Sequence, residues 1–419
     1  MTEISNHGGQ TDRNQSDEVS MTSTVDSMNG MSLAMSALRQ RGAQAIELAQ
    51  PINVDQVPTP ALILNRQKFD ANIEKMAQHM ATHGKGFRPH AKTHKCPLIA
   101  QHQLQAGAVG VCVAKLSEGL ALAYAGIQQI LVTSPVTTAT KAVALIELLQ
   151  RASQVQVVVD SEHGLALLAE VLSQHQLEHT LGVLVDIDVA MGRTGNRDLP
   201  TIVRLAQQIT AHAGMRFDGV QHYAGHLMHL PEYAQRKEKS LSLWQRVTEI
   251  IDHLSQQGFS CDVVTGGGTG TFDIDVEVGA LTDMQVGSYI FMDEEYRQIA
   301  GLQSTRFDDF ASSLTVACTT ISEPTSKTMT VDGGYKAFAS DSVDPVCDDL
   351  PEFRFKFAGD EHGVLIRPDN DQHLQLGQVI QFVVPHCDPT VNLHEYYWVQ
   401  ERDGMIHSVW PITARGCSW

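Results

Sequence analysis

Arg88-Pro89-His90-Ala91-Lys92-Thr93-His94-Lys95 closes the first of a series of short strand-like runs, and its place in that series decides how the chain folds. Outward from it, eight such runs follow one another: 87–92, 110–115, 129–135, 155–160, 181–188, 217–226, 263–269 and 284–291. Stretches with apolar residues at helical spacing lie between them, for example 68–83, 138–151, 199–213 and 232–257. Strands joined through helices of this length run parallel, because the connection must cross back over the sheet. Eight of them predict an α/β fold, a (β/α)8 barrel, with a doubly wound open sheet as the alternative. After about residue 305 the texture changes. Runs at 314–321, 328–331, 363–366, 379–384 and 396–402 are strand-like and separated by turns, which predicts a C-terminal antiparallel β domain.

The implied domains are an N-terminal extension over 1–50, a barrel over 51–300 and a β domain over 301–419, with 61–65 a candidate strand of the β domain. The extension is rich in Ser, Thr, Asn, Gln, Asp and Met. Its first thirty or so residues are expected to be disordered, because they bury too little apolar surface to offset chain entropy, and 31–49 to form a loose amphipathic helix. At 419 residues the chain can bury two cores, and its 42% apolar content contains no uninterrupted run of membrane-spanning length. A net charge of −18 with no basic stripe argues against nucleic acid. Seven cysteines, odd in number and without CxxC spacing, read as reduced thiols rather than a disulfide framework. The polar, acidic N-terminal segment has no secretory pattern, so a cytoplasmic protein is expected.

In a barrel of this kind chemistry gathers at the C-terminal ends of the strands. Lys92 ends the first strand, so its amine is expected at the mouth, where cationic neighbours would lower its pKa and suit it to condense with an aldehyde cofactor. His90, two residues earlier, would share its face of an extended strand. A solvated basic turn is the bland alternative, so the weight falls on what accompanies the segment. Gly266-Gly267-Gly268-Thr269 closes the seventh strand. A glycine turn exposes backbone N–H groups that can cradle a phosphate, and barrel phosphate sites sit at strands seven and eight. Arg193, after the fifth strand, can donate to a cofactor oxygen or else pair with Asp186 or Asp188. The sixth strand ends on Gln221, Tyr223 and His226, where Tyr223 could flank an aromatic ring or be a core tyrosine. In the second domain, Pro385-His386-Cys387-Asp388-Pro389 read as extended chain turns His386 and Asp388 to one side and Cys387 to the other. One imidazole and one carboxylate leave positions open for water or substrate, which suits Mn2+, Mg2+ or Co2+ better than a closed zinc site.

Taken together, RPHAKTHK, MGRTG, TGGGTGT, GSYIFMD (287–293), VDGGYKAF (331–338), DEHG (360–363) and PHCDPTVNL (385–393) resemble the metal-activated fold-type III pyridoxal phosphate (PLP) enzymes. That family includes D-threonine aldolase, 3-hydroxy-D-aspartate aldolase and eukaryotic-type D-serine dehydratase, and the resemblance covers roughly residues 55–415. It implies an alanine-racemase-like barrel with a β domain, Lys92 as the PLP-lysine, Arg193 and the 266–269 turn on the cofactor, and His386 with Asp388 on a divalent metal. Gln221 and Tyr223 complete the expected cofactor contacts, and a homodimer is implied, the mouth completed by the partner's β domain.

Within the resemblance, dehydratases look like they carry a His-x-Cys pair and aldolases His-x-Asp. Asp388 therefore points to retro-aldol cleavage of a D-3-hydroxy-amino acid, such as D-threonine to glycine and acetaldehyde, with a metal-bound hydroxide as base and His90 as a second candidate. The alternative is dehydration of D-serine or D-threo-3-hydroxyaspartate to a keto acid and ammonia. A non-catalytic PLP carrier is a third reading.

Overall fold

The computed structural model describes residues 30–175, 177, 179–368 and 373–419. Eight strands form one parallel sheet: β3 (Gly86–Phe87), β4 (Val111–Val113), β5 (Gln129–Val132), β6 (Gln154–Val159), β7 (Leu181–Ile187), β8 (Met215–His222), β9 (Val263–Gly266) and β10 (Asp283–Met284). Their order, β3-β10-β9-β8-β7-β6-β5-β4, leaves β3 and β4 at the two ends. A parallel bridge between His90 and Cys112 joins those ends, so the sheet closes on itself and the open doubly wound alternative is excluded. All seven residues of β7 are buried, as a parallel strand covered on both faces requires.

Local chemistry fixes where the crossover helices begin. Thr138, Ser161 and Asp198 each accept a hydrogen bond from a first-turn N–H of the helices Ala139–Arg151, Glu162–Ser173 and Leu199–Ala211. The barrel strands are shorter than the apolar runs suggest, because the C-terminal part of several runs leaves the ladder to build the mouth. One glycine has a positional reason: at Gly219 φ is +142° and an added Cβ would lie 2.0 Å from the Val263 carbonyl oxygen, where β7 and β8 shift register.

The second sheet contains β1 (Ile46–Ile52), β2 (Ala61–Asn65), β11 (Leu314–Thr325), β12 (Thr328–Val331), β13 (Arg354–Phe357), β14 (Gly363–Ile366), β15 (Val379–Val383), β16 (Tyr396–Gln400) and β17 (Ile406–Pro411). Its order is β1-β17-β16-β2-β11-β12-β14-β13, with β15 on the other side of β11. All pairings are antiparallel except that of β16 with β2. Residues 61–65 thus sit in the middle of this sheet, paired with β11 on one side and β16 on the other, and four of the five are buried.

Two expectations are corrected here. A helix does run through residues 30–39, but 46–49 are strand rather than helix: β1 pairs with β17 near the C-terminus. Tertiary pairing overrides the helical spacing, since an edge strand needs little more than a partner with free backbone groups. The strands β13 and β17 fall outside the expected runs. The expected disorder of the first residues concerns 1–29, which lie outside the described residues. Among the described residues no helix is long and apolar enough to cross a membrane.

Candidate active site

The polar residues of the 88–95 segment divide their contacts among several elements. Strand β3 is only two residues long, but its ladder continues: the His90 N–H donates to the Val286 carbonyl at 2.8 Å and the Ala91 N–H to the Cys112 carbonyl at 2.7 Å. The chain then turns, with the Thr93 N–H bonded to the His90 carbonyl at 3.2 Å. Lys92 therefore sits in the turn beyond the strand, not on it. Arg88 is buried and its Nε donates to Asp283 Oδ1 at 3.1 Å, in the barrel interior. His94 is fully buried, and its Nδ1 accepts from the Cys96 N–H at 3.1 Å. Burial pushes the His94 imidazole down to about 3, so it is neutral. Lys95, held at φ +52°, pairs with buried Glu118.

A cavity of about 430 Å³ opens at the C-terminal ends of the barrel strands. Lys92, His90, Arg193, Gln221, Tyr223, Gly268 and Thr269, seven of the residues singled out in the sequence, line it together. Its lining includes three cations, Lys92, Lys115 and Arg193, and no aspartate or glutamate. In a chain of net charge −18 that separation is a strong local bias toward anions.

Lys92 departs from expectation in its electrostatics. Burial would lower its pKa, but the Asp388 carboxylate, with which it pairs, outweighs burial and raises it above the ordinary lysine value. The expected depression by cationic neighbours is therefore wrong, because a carboxylate from the other domain stands closer than they do. His90 lies beside it with Nε2 at 3.3 Å from Thr133 Oγ1 and Nδ1 buried without a partner. Burial, followed by the charge of Lys92, holds this imidazole well below its usual range and neutral.

Does the cavity fit pyridoxal phosphate? Among the described residues, the backbone N–H groups of Gly267, Gly268, Thr269, Gly287 and Ser288 have no hydrogen-bond partner. All five residues belong to two adjacent turns, after β9 and β10, and four of them, Gly268, Thr269, Gly287 and Ser288, line the cavity. Unpaired N–H donors converging from two turns suit a phosphate. An added Cβ at Gly268 would lie 2.7 Å from Met228 Sδ and one at Gly287 2.6 Å from Thr93 Oγ1, so neither turn has room for a side chain. The residues fit the group. Gly266 belongs to the strand instead: its Cβ would lie 1.9 Å from the His222 carbonyl oxygen, so its reason is steric. Gly267, at φ +67°, turns the chain between the two.

Arg193 pairs with neither aspartate. Asp188 is taken by Arg197 at 2.8 Å and by the N–H groups of Ala190, Met191 and Gly192, which shape the loop that carries Arg193. The Arg193 guanidinium is exposed and lies 5.2 Å from the centroid of the Tyr223 ring. Gln221 faces the cavity but is engaged below it: its amide donates to Asp186 at 3.0 Å and its oxygen accepts from Gln285 at 3.0 Å. Its hydrogen bonds continue through Gln285 and Thr265 to Asp283 and Arg88, a polar core beneath the site.

The expected metal pair is not an extended segment. Cys387–Val391 is a short helix with His386 as its N-cap, and Pro389 is tolerated there because it falls in the first turn. The Cys387 N–H donates to buried Asp293 at 2.9 Å, which anchors the helix under the cavity. His386 and Asp388 then take separate partners: His386 Nδ1 lies 2.8 Å from Asp341, and Asp388 pairs with Lys92. Among the described residues no group of three or more His, Cys, Asp or Glu side chains is arranged to hold a metal ion. The donor types suit a divalent cation, but as placed they are engaged elsewhere.

Several lining residues carry no signal in the sequence: Lys115 and Thr133 follow β4 and β5, and Tyr296 lies in the short helix Glu294–Arg297. GSYIFMD stood out as a motif, and its Gly287 and Ser288 prove to be part of the anion-facing rim.

Comparison with known proteins agrees with this architecture. Residues 64–295 match the family "Alanine racemase, N-terminal domain", and residues 313–400 match "Putative serine dehydratase domain". The chain is 36% identical over 382 residues to a D-threonine aldolase of Arthrobacter sp, covering 90% of this chain and 98% of that protein. It is 34% identical over 364 residues to a 3-hydroxy-D-aspartate aldolase of Paracoccus denitrificans (strain Pd 1222), covering 86% of this chain and 93% of the other. The crystal structure of D-threonine aldolase from Filomicrobium marinum superposes with a TM-score of 0.85 at 34% identity, covering 89% of this chain and all of that one. The chain belongs to the family of D-threonine aldolases and 3-hydroxy-D-aspartate aldolases, built on the alanine-racemase fold.

Proposed function

We propose that the protein is a carbon–carbon lyase that cleaves D-3-hydroxy-amino acids to glycine and an aldehyde, with D-threonine giving acetaldehyde as the simplest case. The observation that carries this reading is Lys92, placed on an acid-free, anion-facing cavity and tethered to Asp388 of the second domain. When bound, PLP supplies the sink for the electron pair released as the Cα–Cβ bond breaks. The chain's own residues do the rest. Lys92 becomes nucleophilic only when its proton and its contact with Asp388 are given up. Arg193 and the N–H groups of the two turns hold and orient anionic oxygens. His90, neutral and with Nδ1 unpaired, is placed to hold the proton lost by the substrate hydroxyl as Cβ becomes a carbonyl carbon.

The finer reading includes a divalent cation, Mn2+ first, at His386 and Asp388. It rests on the donor chemistry of that pair, one imidazole and one carboxylate. A homodimer and a cytoplasmic location are proposed on the family resemblance and on the reduced-thiol reading of the cysteines.

Incubation of PLP-loaded protein and Mn2+ with a panel of D-3-hydroxy-amino acids tests the function, with release of aldehyde and glycine expected. A second reading, dehydration, draws on the match of residues 313–400 to a putative serine dehydratase domain. Keto acid and ammonia in place of aldehyde would establish it and sink the aldolase reading.

A further inference from the structure

Lys92 sits in a turn whose last two carbonyls are met by donors of the second domain. The Tyr397 hydroxyl donates to the His94 carbonyl at 2.6 Å, and the Ala414 N–H donates to the Lys95 carbonyl at 2.9 Å. Tyr397 lies on β16 and is fully buried, its ring 5.6 Å from that of Phe291. The turn needs holding. Lys95 stands at φ +52°, a left-handed conformation that a residue with a Cβ keeps only where its surroundings fix it. Here the Lys95 N–H bonds the Ala91 carbonyl at 2.7 Å, the side chain pairs with Glu118, and Ala414 holds the carbonyl.

The same stretch of chain reaches the other half of the Lys92–Asp388 pair. Two residues after Ala414, the Gly416 N–H donates to the Asn392 side-chain oxygen at 2.8 Å. Asn392 is the C-cap of the short helix that carries Asp388. Residues 414–416 thus tie the turn of Lys92 to the helix of Asp388 through backbone donors, independently of the side-chain contact between them. In the proposed reaction Lys92 must leave Asp388, and the backbone then keeps its amine in place. A misplacement of about 1 Å can cost about 100-fold in rate. We propose that Tyr397 is a positioning residue for Lys92: its hydroxyl, with the 414–416 tie, holds the turn in register with the Asp388 helix from the second domain. The consequence for the reaction rests on the lyase reading, whereas the hold on the turn does not.

Tyr397→Phe tests this, because phenylalanine keeps the ring packing and removes the hydroxyl alone. Amide hydrogen exchange is followed by mass spectrometry on the full chain, in peptides covering 91–95 and, as a reference, the helix 139–151. Loss of a buried donor to a carbonyl should speed exchange over 91–95 about 5- to 100-fold and leave the reference helix unchanged. Asn392→Ala, at the half-buried end of the tie, should speed exchange over 387–391 and, to a smaller extent, over 91–95. With D-threonine, kcat of Tyr397→Phe should fall about 10-fold or more at an unchanged KM, since the anion-facing rim is not touched. A wild-type rate over 91–95 in either variant overturns the proposal. So does acceleration that the reference helix shares, which would mark a general loss of stability. Faster exchange with an unaltered kcat overturns it too, because the turn would then be held without consequence for Lys92. If wild type releases no aldehyde from any D-3-hydroxy-amino acid, the lyase reading falls by itself. The rate at which Lys92 captures added PLP, read from visible absorbance, then replaces kcat: a lower rate in Tyr397→Phe upholds the proposal and an equal one overturns it.

Discussion

The sealed corner around Lys95 and the cavity around Lys92 are built from one short segment and the same pair chemistry, yet they do opposite things. Lys95 and Glu118 have side chains 9% and 3% exposed, and Glu118 also accepts two backbone N–H groups. That carboxylate is saturated and its partner cannot leave without stranding a buried charge. Lys92 and Asp388 are 42% and 16% exposed, they come from different domains, and the cavity lies beside them. A pair open to water contributes less to stability and can exchange partners. The difference teaches that a lysine–carboxylate contact is structural or reactive according to what seals it, not according to its residue types.

Three experiments would break or sharpen that contrast. The largest effect is expected for Lys92→Ala: no detectable aldehyde release, no borohydride-fixable attachment of PLP, and a change in folding stability of at most about 1 kcal/mol. A loss of stability as large as that of the sealed pair would erase the distinction. Next comes Glu118→Ala, which leaves Lys95 buried and unpaired and should cost about 3–5 kcal/mol in urea unfolding. If its midpoint stays at the wild-type value, the corner is not sealed.

The smallest effect concerns His94, which lies between the two lysines. Its folded pKa of about 3 is depressed below the unfolded value of roughly 6.5, so the unfolded chain takes up the proton first as pH falls. The stability tied to its neutral form is complete above about pH 6.5 and is lost progressively as pH drops toward the folded value. Between pH 6.5 and 5 the loss should be about 1.5–2 kcal/mol, and His94→Gln should remove that part of the slope. A variant as acid-sensitive as wild type over this window would show that His94 protonates in the fold.

Much of the barrel was legible because its strands are apolar and its helices periodic, and both patterns survive without tertiary information. The helices 138–151, 199–213 and 232–257 differ from those found by only one or two residues at an end. The strand ends were less legible. The runs 87–92 and 284–291 each overlap a two-residue strand at one position only, Phe87 and Met284, since a run of apolar residues does not say where pairing starts and stops. β1 read as helix because its partner, β17, is some 360 residues away by number. The extended geometry read for residues 385–389 was the plainest misreading: an alternation argument applied to what is the first turn of a helix.

By itself the sequence determined the eight alternating strands of the barrel and the family, and singled out the lysine and the glycine turn that line the cavity, because residue identity and spacing carry those. Only the tertiary structure decided which carboxylate each lysine meets, and that Asp388 reaches across from the second domain to Lys92. Those facts depend on distances between residues far apart in the chain, and Coulomb interactions follow distance and burial, not order in the sequence.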